Sequence, residues 1–401
     1  MEPPLIVLAP GPGYEGMLAI DSLYNDRSSG GLRIAPDLAL EEIRELAREM
    51  TLKFALFRLP RGGAKAGLRL AGDLDAEARR EALEGFGRRI GPIIRAGLYY
   101  PGTDMNCGFE DLRAVYAGAG LSIGRPTDTA FFTALGVSQA IQGCVQALEL
   151  PHPVTLAIEG FGQVAAHMAA MLPAEEFRIT ALSTIRGAIA NPSGFAPDEL
   201  RGAKADHGDD LVRHLPGTDL PLESLLGTPA DILVPAARTG SITADAARAV
   251  RARAIVPAAN APYAPGAAAL LHDRGVLCLP GCLCNAGGVF GSSLADSGIP
   301  PGPIERLFQT RYRALVRHLV AACLPGRLSP VAVVEAVAER EARARGGRAP
   351  AGAPPAGLPR RIARKLTRRA ARCLPRAYRR SAVWRQAHRA LDALEADFRE
   401  V

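Results

Sequence analysis

No run of about twenty apolar residues occurs anywhere in the chain, so it offers no segment able to cross a bilayer as a helix. Its opening, MEPPLIVLAP, has neither a basic cluster nor an apolar stretch of signal-peptide length. Cysteine is scarce, seven scattered copies and an odd number, which argues against a disulfide framework and for a reducing compartment. The expectation is a soluble, cytoplasmic protein. Aromatic residues reach only 5% and do not interleave with the basic clusters, so nothing points to a specific nucleic-acid reader. The seven histidines are scattered and form no ligand pattern.

What remains is ordinary globular material. The 401 residues are 48% hydrophobic and 22% charged, enough for two cores separated by a cleft. The formal charge of +7 is unevenly placed. Arg340 to Val401 hold 17 basic and 5 acidic residues, net +12, which leaves the preceding residues at net −5. A mildly acidic body thus carries a strongly basic tail. Ala, Arg, Gly and Pro are abundant throughout, a bias that is given no structural weight.

Short apolar runs and turn signals alternate up to about residue 35, the pattern of strands joined by tight loops. A helix follows, with Leu38, Leu40, Ile43, Leu46 and Ala47 at helical spacing, and it carries Lys53 on its last turn. A second helix near Asp75 to Arg88 precedes a strand that ends in the loop holding Asp104. Further on, RITALS, ADILVPAA, ARAIVPAAN and GVLCLPG read as strands at helix-sized intervals, which predicts an open parallel sheet with helices on both faces.

The turn that opens this region is the first chemical signal. In LAIEGFGQVAAHMA an apolar strand runs into Gly160-Phe161-Gly162-Gln163-Val164-Ala165 and then into a helix. A bare G-x-G-x-x-A is weak, but in a strand–turn–helix setting it reads as a dinucleotide turn. The glycines let the backbone approach a pyrophosphate held by the free N–H groups of the helix N-terminus. The carboxylate that would take the ribose hydroxyls of NAD is absent where RITALS ends. Ser183, Thr184 and Arg186 stand there instead, a lean toward NADP over NAD. The competing reading makes Arg186 a solvated loop residue.

Lys53 and Lys65 are the second signal, in MTLKFALFRLPRGGAKAGLRL. Lysines at helix ends usually face solvent. Lys65, however, has small neighbours that leave room for a substrate, and Lys53 is offered from the preceding helix. Two adjacent ammonium groups depress each other's pKa, so one can act as a base while the other holds a carboxylate. Asp104 would complete a proton-transfer pair.

MTLKFALFRLPRGGAKAG, PGTDMNC, TALGV, LAIEGFGQVAAHMA, ADILVPAARTGSIT, IVPAANAP and NAGGVFGS occur in the order found in the glutamate/leucine/phenylalanine/valine dehydrogenases. From about Ser28 to Arg345 the sequence resembles that family. The resemblance implies an α/β fold of two domains, with the active site in the cleft. Residues 1–132 would form a substrate-binding and oligomerisation domain and 133–300 a Rossmann NAD(P)-binding domain. Residues 301–345 would be helices returning to the first domain, and 346–401 a linker and basic helical extension. Lys65 and Asp104 resemble the catalytic pair and Lys53 the binder of the substrate α-carboxylate, with Gly63, Asn285 and Ser292 also on the substrate side. Thr133, Ala236 and Asn260 match the cofactor side, together with the turn residues already named.

The implied chemistry is reversible oxidative deamination. Hydride passes from the substrate Cα to nicotinamide C4. Water activated by neutral Lys65 attacks the imine, Asp104 shuttles protons, and a 2-oxo acid and ammonia leave. The family further implies a homo-oligomer.

Departures from the pattern bear on the substrate. Glutamate-specific members carry a lysine just before GGLR, where this chain has Ser29, although Ser292 matches a serine those enzymes use. Burying a carboxylate against hydroxyls alone is costly, so an uncharged, apolar side chain is the expectation, with glutamate second. PAAN, where many members have Glu-Gly-Ala-Asn, and two additional residues before TALGV could also reshape the pocket. A homologue that binds nucleotide without turnover is the alternative in another class. Cys278, Cys282 and Cys284 with His272 lack the spacing of a zinc motif, so no metal is expected. In the tail, Leu358, Ile362, Leu366 and Ala370 could form a basic amphipathic helix for a membrane surface or nucleic acid. A solvated or self-packing extension is favoured over that. Val383, Ala387, Leu391, Leu394 and Phe398 line one face of a second helix suited to packing on the body or on another subunit.

Overall fold

The computed structural model describes residues 5–72, 74–124, 127–326, 328–346 and 376–400. The chain divides into two compact units: Met1–Thr127, Ser293–Pro300 and Ala338–Ala390 form unit 1, and Asp128–Ser292, Pro301–Val337 and Leu391–Val401 form unit 2. Residues 301–345, expected to return as one block to the first domain, are thus split between the units after Val337. The expected linker and first basic helix lie outside the described residues.

Unit 1 is built on five strands, β1 (Leu5–Gly11), β2 (Tyr14–Ile20), β3 (Ser28–Ile34), β4 (Gly62–Leu70) and β5 (Tyr99–Thr103), in the spatial order β1-β2-β4-β3-β5. β3 runs parallel to both β4 and β5, while β2 is antiparallel to β1 and β4. Helix α1 (Leu40–Leu56) covers one face, and α2 (Ala76–Ala96) and α3 (Phe109–Gly118) cover the other. The period of two sorts the strands between these faces. Leu18, Ile20, Leu32, Ile34, Ala64, Ala66 and Leu68 pack with Phe86, Ile90 and Val115. Met17 and Ala19 pack with Ile43 and Ala47 of α1. Ser29, Gly31, Arg33, Gly63, Lys65 and Gly67 therefore face the α1 side.

The GGAKAG stretch is accordingly a strand, and its glycines receive a helix. A Cβ on Gly63 would stand 2.1 Å from the backbone N of Thr51, and one on Gly67 would stand 2.7 Å from Cδ1 of Ile43. Every other residue on this face of β4 is glycine because α1 lies directly on it. The room expected there for a substrate is filled by the helix.

Unit 2 holds seven strands: β6 (Val154–Glu159), β7 (Phe177–Thr184), β8 (Gly187–Phe195), β9 (Thr218–Leu220), β10 (Ile232–Pro235), β11 (Ala254–Ile255) and β12 (Leu277–Cys278). Their order is β12-β11-β10-β6-β7-β8-β9. The first five are parallel, while β8 and β9 add an antiparallel edge. That edge is not legible in the sequence, because Asn191, Pro192 and Gly194 interrupt the β8 pattern. Helices α4 (Thr129–Leu148), α5 (Gln163–Met171), α6 (Pro197–His207), α7 (Ala244–Ala249) and α8 (Ala267–Asp273) accompany the sheet. The remaining helices are α9 (Gly281–Cys284), α10 (Gly287–Asp296), α11 (Pro301–Leu307), α12 (Arg313–Gly326), α13 (Pro330–Gly346) and α14 (Arg376–Arg399).

Helix α14 packs on the body of its own chain. Ala387, Leu391, Leu394 and Phe398 are buried, Val383 half so. In unit 1 the Gln386 amide donates to the Arg58 carbonyl at 3.0 Å. In unit 2 Asp392 pairs with Arg311, and His318 approaches Glu395 at 3.0 Å.

Candidate active site

In unit 1 the α1 side of the sheet brings three charged side chains together. Lys65 on β4 reaches across β3, and its Nζ lies 2.9 Å from Oδ2 of Asp104, which follows β5. Arg33 on β3 donates from Nε to the same oxygen at 2.8 Å and from Nη1 to Glu42 on α1 at 2.8 Å. Lys65 is only 2% exposed. Burial is the main reason its pKa falls from 10.5 to about 8; Asp104 opposes the fall, and the Arg33 and Lys53 charges add to it. Asp104, beside two cations, is held well below the usual carboxylate range despite its own burial. The result is a lysine that loses its proton near pH 8 against a carboxylate that stays charged. The mutual depression of two lysines expected from the sequence is the smallest of these effects. Arg33, which the sequence reading passed over, outweighs Lys53. Its signal was the single charge alternating with Leu32 and Ile34 in GGLRI.

Lys53 lies on the last turn of α1 and is 3% exposed, in the electrostatic field of both Lys65 and Glu49. Gly63 is wholly occupied by the fold. Its N–H donates to Ser22 Oγ at 3.0 Å, and its carbonyl accepts from the N–H groups of Asp21 and Ser22. Ser29 donates its hydroxyl to the Tyr100 carbonyl at 2.9 Å.

Unit 2 carries the nucleotide features. β6 ends at Glu159, and Gly160 turns the chain with φ +87°, its N–H donating to Ser183 Oγ at 3.1 Å. A Cβ on Gly160 would stand 2.9 Å from Ala237, so this glycine serves the turn and the close approach of the chain beyond β10. Gly162 differs. It caps α5 with no side-chain hydrogen bond, and a Cβ there would meet nothing within 4 Å. The N–H groups of the first turn, Gln163 and Val164 among them, thus face open space at a helix N-terminus, a cradle that fits a pyrophosphate. Ala236, just past β10, donates its N–H to the Glu159 carbonyl at 2.7 Å, at the point where strand order reverses between β6 and β10.

The other predicted residues of unit 2 fall around the α4–α10 crossing. Gly287 and Gly288 let the helices touch; a Cβ on Gly288 would lie 2.4 Å from Thr133 Oγ1. Thr133 itself donates to the Thr129 carbonyl at 2.7 Å. The Asn285 amide donates to the carbonyls of Ala258 and Ala259, in the segment that leads to Asn260, while its buried Oδ1 has no partner. An orphaned buried acceptor is costly, and it suits a ligand amide or ammonium. Ser292 donates its hydroxyl back to the Gly288 carbonyl within its own helix. At the end of β7, Ser183 is buried under Gly160 and Thr184 donates to the Asp209 carbonyl at 2.6 Å, so neither hydroxyl stands open. Arg186 is 57% exposed, with Asp210 at 3.9 Å. Cys278, Cys282 and Cys284 are buried, and burial raises the Cys278 thiol to about 12.

The family model described as Glutamate/Leucine/Phenylalanine/Valine dehydrogenase matches residues 124–297, and the Glu/Leu/Phe/Val dehydrogenase dimerisation domain matches residues 15–118. The chain belongs to this family. Its members are NAD(P)-dependent oxidoreductases acting on CH–NH2 donors. The dehydrogenase is 35% identical over 284 residues to the glutamate dehydrogenase of Thermotoga maritima, covering 65% of this chain and 67% of that one. Its structure is similar to a hetero-hexameric glutamate dehydrogenase of Thermus thermophilus in a leucine-bound form. That match has a TM-score of 0.74 at 25% identity and covers 86% of this chain and 90% of that one. The fold also matches L-tryptophan dehydrogenase of Nostoc punctiforme, with a TM-score of 0.59 at 19% identity, over 86% and 97% of the two chains.

Proposed function

We propose that this dehydrogenase catalyses the reversible oxidative deamination of an L-α-amino acid to the 2-oxo acid and ammonia. The observation that carries the proposal is the pair of buried Lys65 with half-buried Asp104, 2.9 Å apart, with the lysine pKa drawn down to about 8. A nicotinamide nucleotide held at the α5 cradle would supply the acceptor for hydride from the substrate Cα. Neutral Lys65 removes a proton from the water that attacks the imine carbon. Asp104, an acceptor held ionised by Arg33, carries protons to and from the substrate nitrogen. Lys53 binds the α-carboxylate. The cofactor residues are the α5 cradle at Gly160 to Val164, with Thr133, Ala236 and Asn260, while Asn285 stands on the substrate side.

Arg186, just past the end of β7, supports NADP, although Asp210 beside it competes for a 2′-phosphate. The side chain of the substrate is the finer question. Ser29 brings no cation, and the hydroxyls of Ser29 and Ser292 are both engaged with backbone carbonyls; on these residues an uncharged side chain is favoured. A dicarboxylic acid is the second reading, favoured by Arg61 as set out below. The matched dimerisation domain supports a homo-oligomer. The six described cysteines, all free, support a cytoplasmic setting. The test is reductive amination by the purified protein, ammonia with a panel of 2-oxo acids, following NADH and NADPH consumption separately. Turnover is expected. Silence across the panel with nucleotide still bound would favour a non-catalytic homologue.

A further inference from the structure

Arg61 stands just before β4, and its guanidinium carbon lies 5.5 Å from the centroid of the Tyr100 ring on β5. β3 runs between those strands, with Ser29 in register with Gly63 on one side and with Tyr100 on the other. To reach Tyr100, the Arg61 side chain passes over β3 at Ser29. Alternation along β5 puts Tyr100 on the same side of the sheet as Gly102 and Asp104. This is the side on which Lys65 crosses from β4 to Asp104. Arg61 from just before β4 and Lys65 from β4 itself therefore both reach over β3.

Gly102 lies between their end points, paired with Gly31, and a Cβ on it would meet nothing within 4 Å. The space above Gly102, between Asp104 and Tyr100 along the chain, is thus open. Arg61 is half-buried and, among the described residues, forms no ion pair with a carboxylate. A half-buried guanidinium over an aromatic ring, without an anion, suits a carboxylate partner.

We propose that Arg61 binds the side-chain carboxylate of the substrate, so that the amino acid oxidised is a short dicarboxylic one. The proposal rests on the dehydrogenase reading above. With its nitrogen at Asp104, such a substrate extends over Gly102 toward Arg61. Ser29, too short to meet the carboxylate, leaves the path of the arginine clear.

The experiment measures kcat/KM for 2-oxoglutarate and for 4-methyl-2-oxopentanoate in the full-length protein, in Arg61→Leu and in Arg61→Lys. The unaltered protein should prefer 2-oxoglutarate. Arg61→Leu should lower the ratio at least about tenfold, the least expected from losing a charge-assisted hydrogen bond, and Arg61→Lys should restore part of it. A preference for 4-methyl-2-oxopentanoate, or a ratio unmoved by Arg61→Leu, would overturn the proposal. Calorimetric binding of glutarate separates the two readings. If no oxo acid turns over but glutarate binds and Arg61→Leu abolishes the binding, the receptor stands and the dehydrogenase reading falls. If glutarate binds both proteins equally, or neither, the receptor itself is refuted.

Discussion

Lys65 has to give up a proton before it can act as a base, and its surroundings arrange this near pH 8. The sign follows from the shift. The lysine pKa falls on folding, so the unfolded chain binds the proton more tightly. Below pH about 8 this opposes folding, and the opposition fades as pH rises from about 8 toward 10.5. For the same reason kcat/KM for amino-acid oxidation should rise through about pH 8 as neutral Lys65 accumulates. Lys65→Ala should lower kcat by roughly a thousandfold, within the range typical of a general base, with nucleotide affinity by fluorescence titration nearly unchanged. Arg33→Gln removes a cation that presses on Lys65, so the midpoint of the pH profile should move upward. An unmoved midpoint with a lower rate would make Arg33 a packing residue. Lys53, Lys65 and Asp104 were legible as residues because the motifs around them are specific. Their electrostatics were not, because burial and the contact with Arg33 depend on strands far apart in sequence.

At the scale of elements, glycine has two different uses. Gly63 exists because α1 lies on β4, and Gly63→Ala would drive a methyl group into the Thr51 backbone. Overpacking of this kind costs about 1–3 kcal/mol or more, so a clear drop in Tm by calorimetry is expected. Gly162 has open space before it. Gly162→Ala should leave Tm nearly unchanged and weaken nucleotide binding roughly tenfold, one close phosphate contact being lost. Equal effects of the two substitutions on Tm would contradict this assignment. The G-x-G-x-x-A turn was readable because the apolar strand and helix flank it directly. β4 was hidden, since a glycine-rich run has no strand propensity of its own and becomes a strand only against its neighbours.

At the scale of the molecule, the basic tail ends in a helix that belongs to the body. Ala387, Leu391, Leu394 and Phe398 are each at most 4% exposed, so truncation after Gly346 uncovers their receiving surface. The truncated protein should unfold at lower temperature and show new apolar surface to a hydrophobic dye. An unchanged melting curve would mean that α14 contributes nothing to the fold. The apolar face of this helix was visible in its spacing, whereas the surface that receives it was not, because that surface is assembled from distant segments. The claim on which the rest depends is that Lys65 and Asp104 form the acid–base centre of an amino-acid dehydrogenase. Its most direct measurement is the pH dependence of ammonia-dependent 2-oxo acid reduction in the unaltered protein and in Lys65→Ala. The account predicts turnover governed by a group titrating near pH 8 and lost in the variant. Activity that survives in Lys65→Ala with the same pH profile would contradict it.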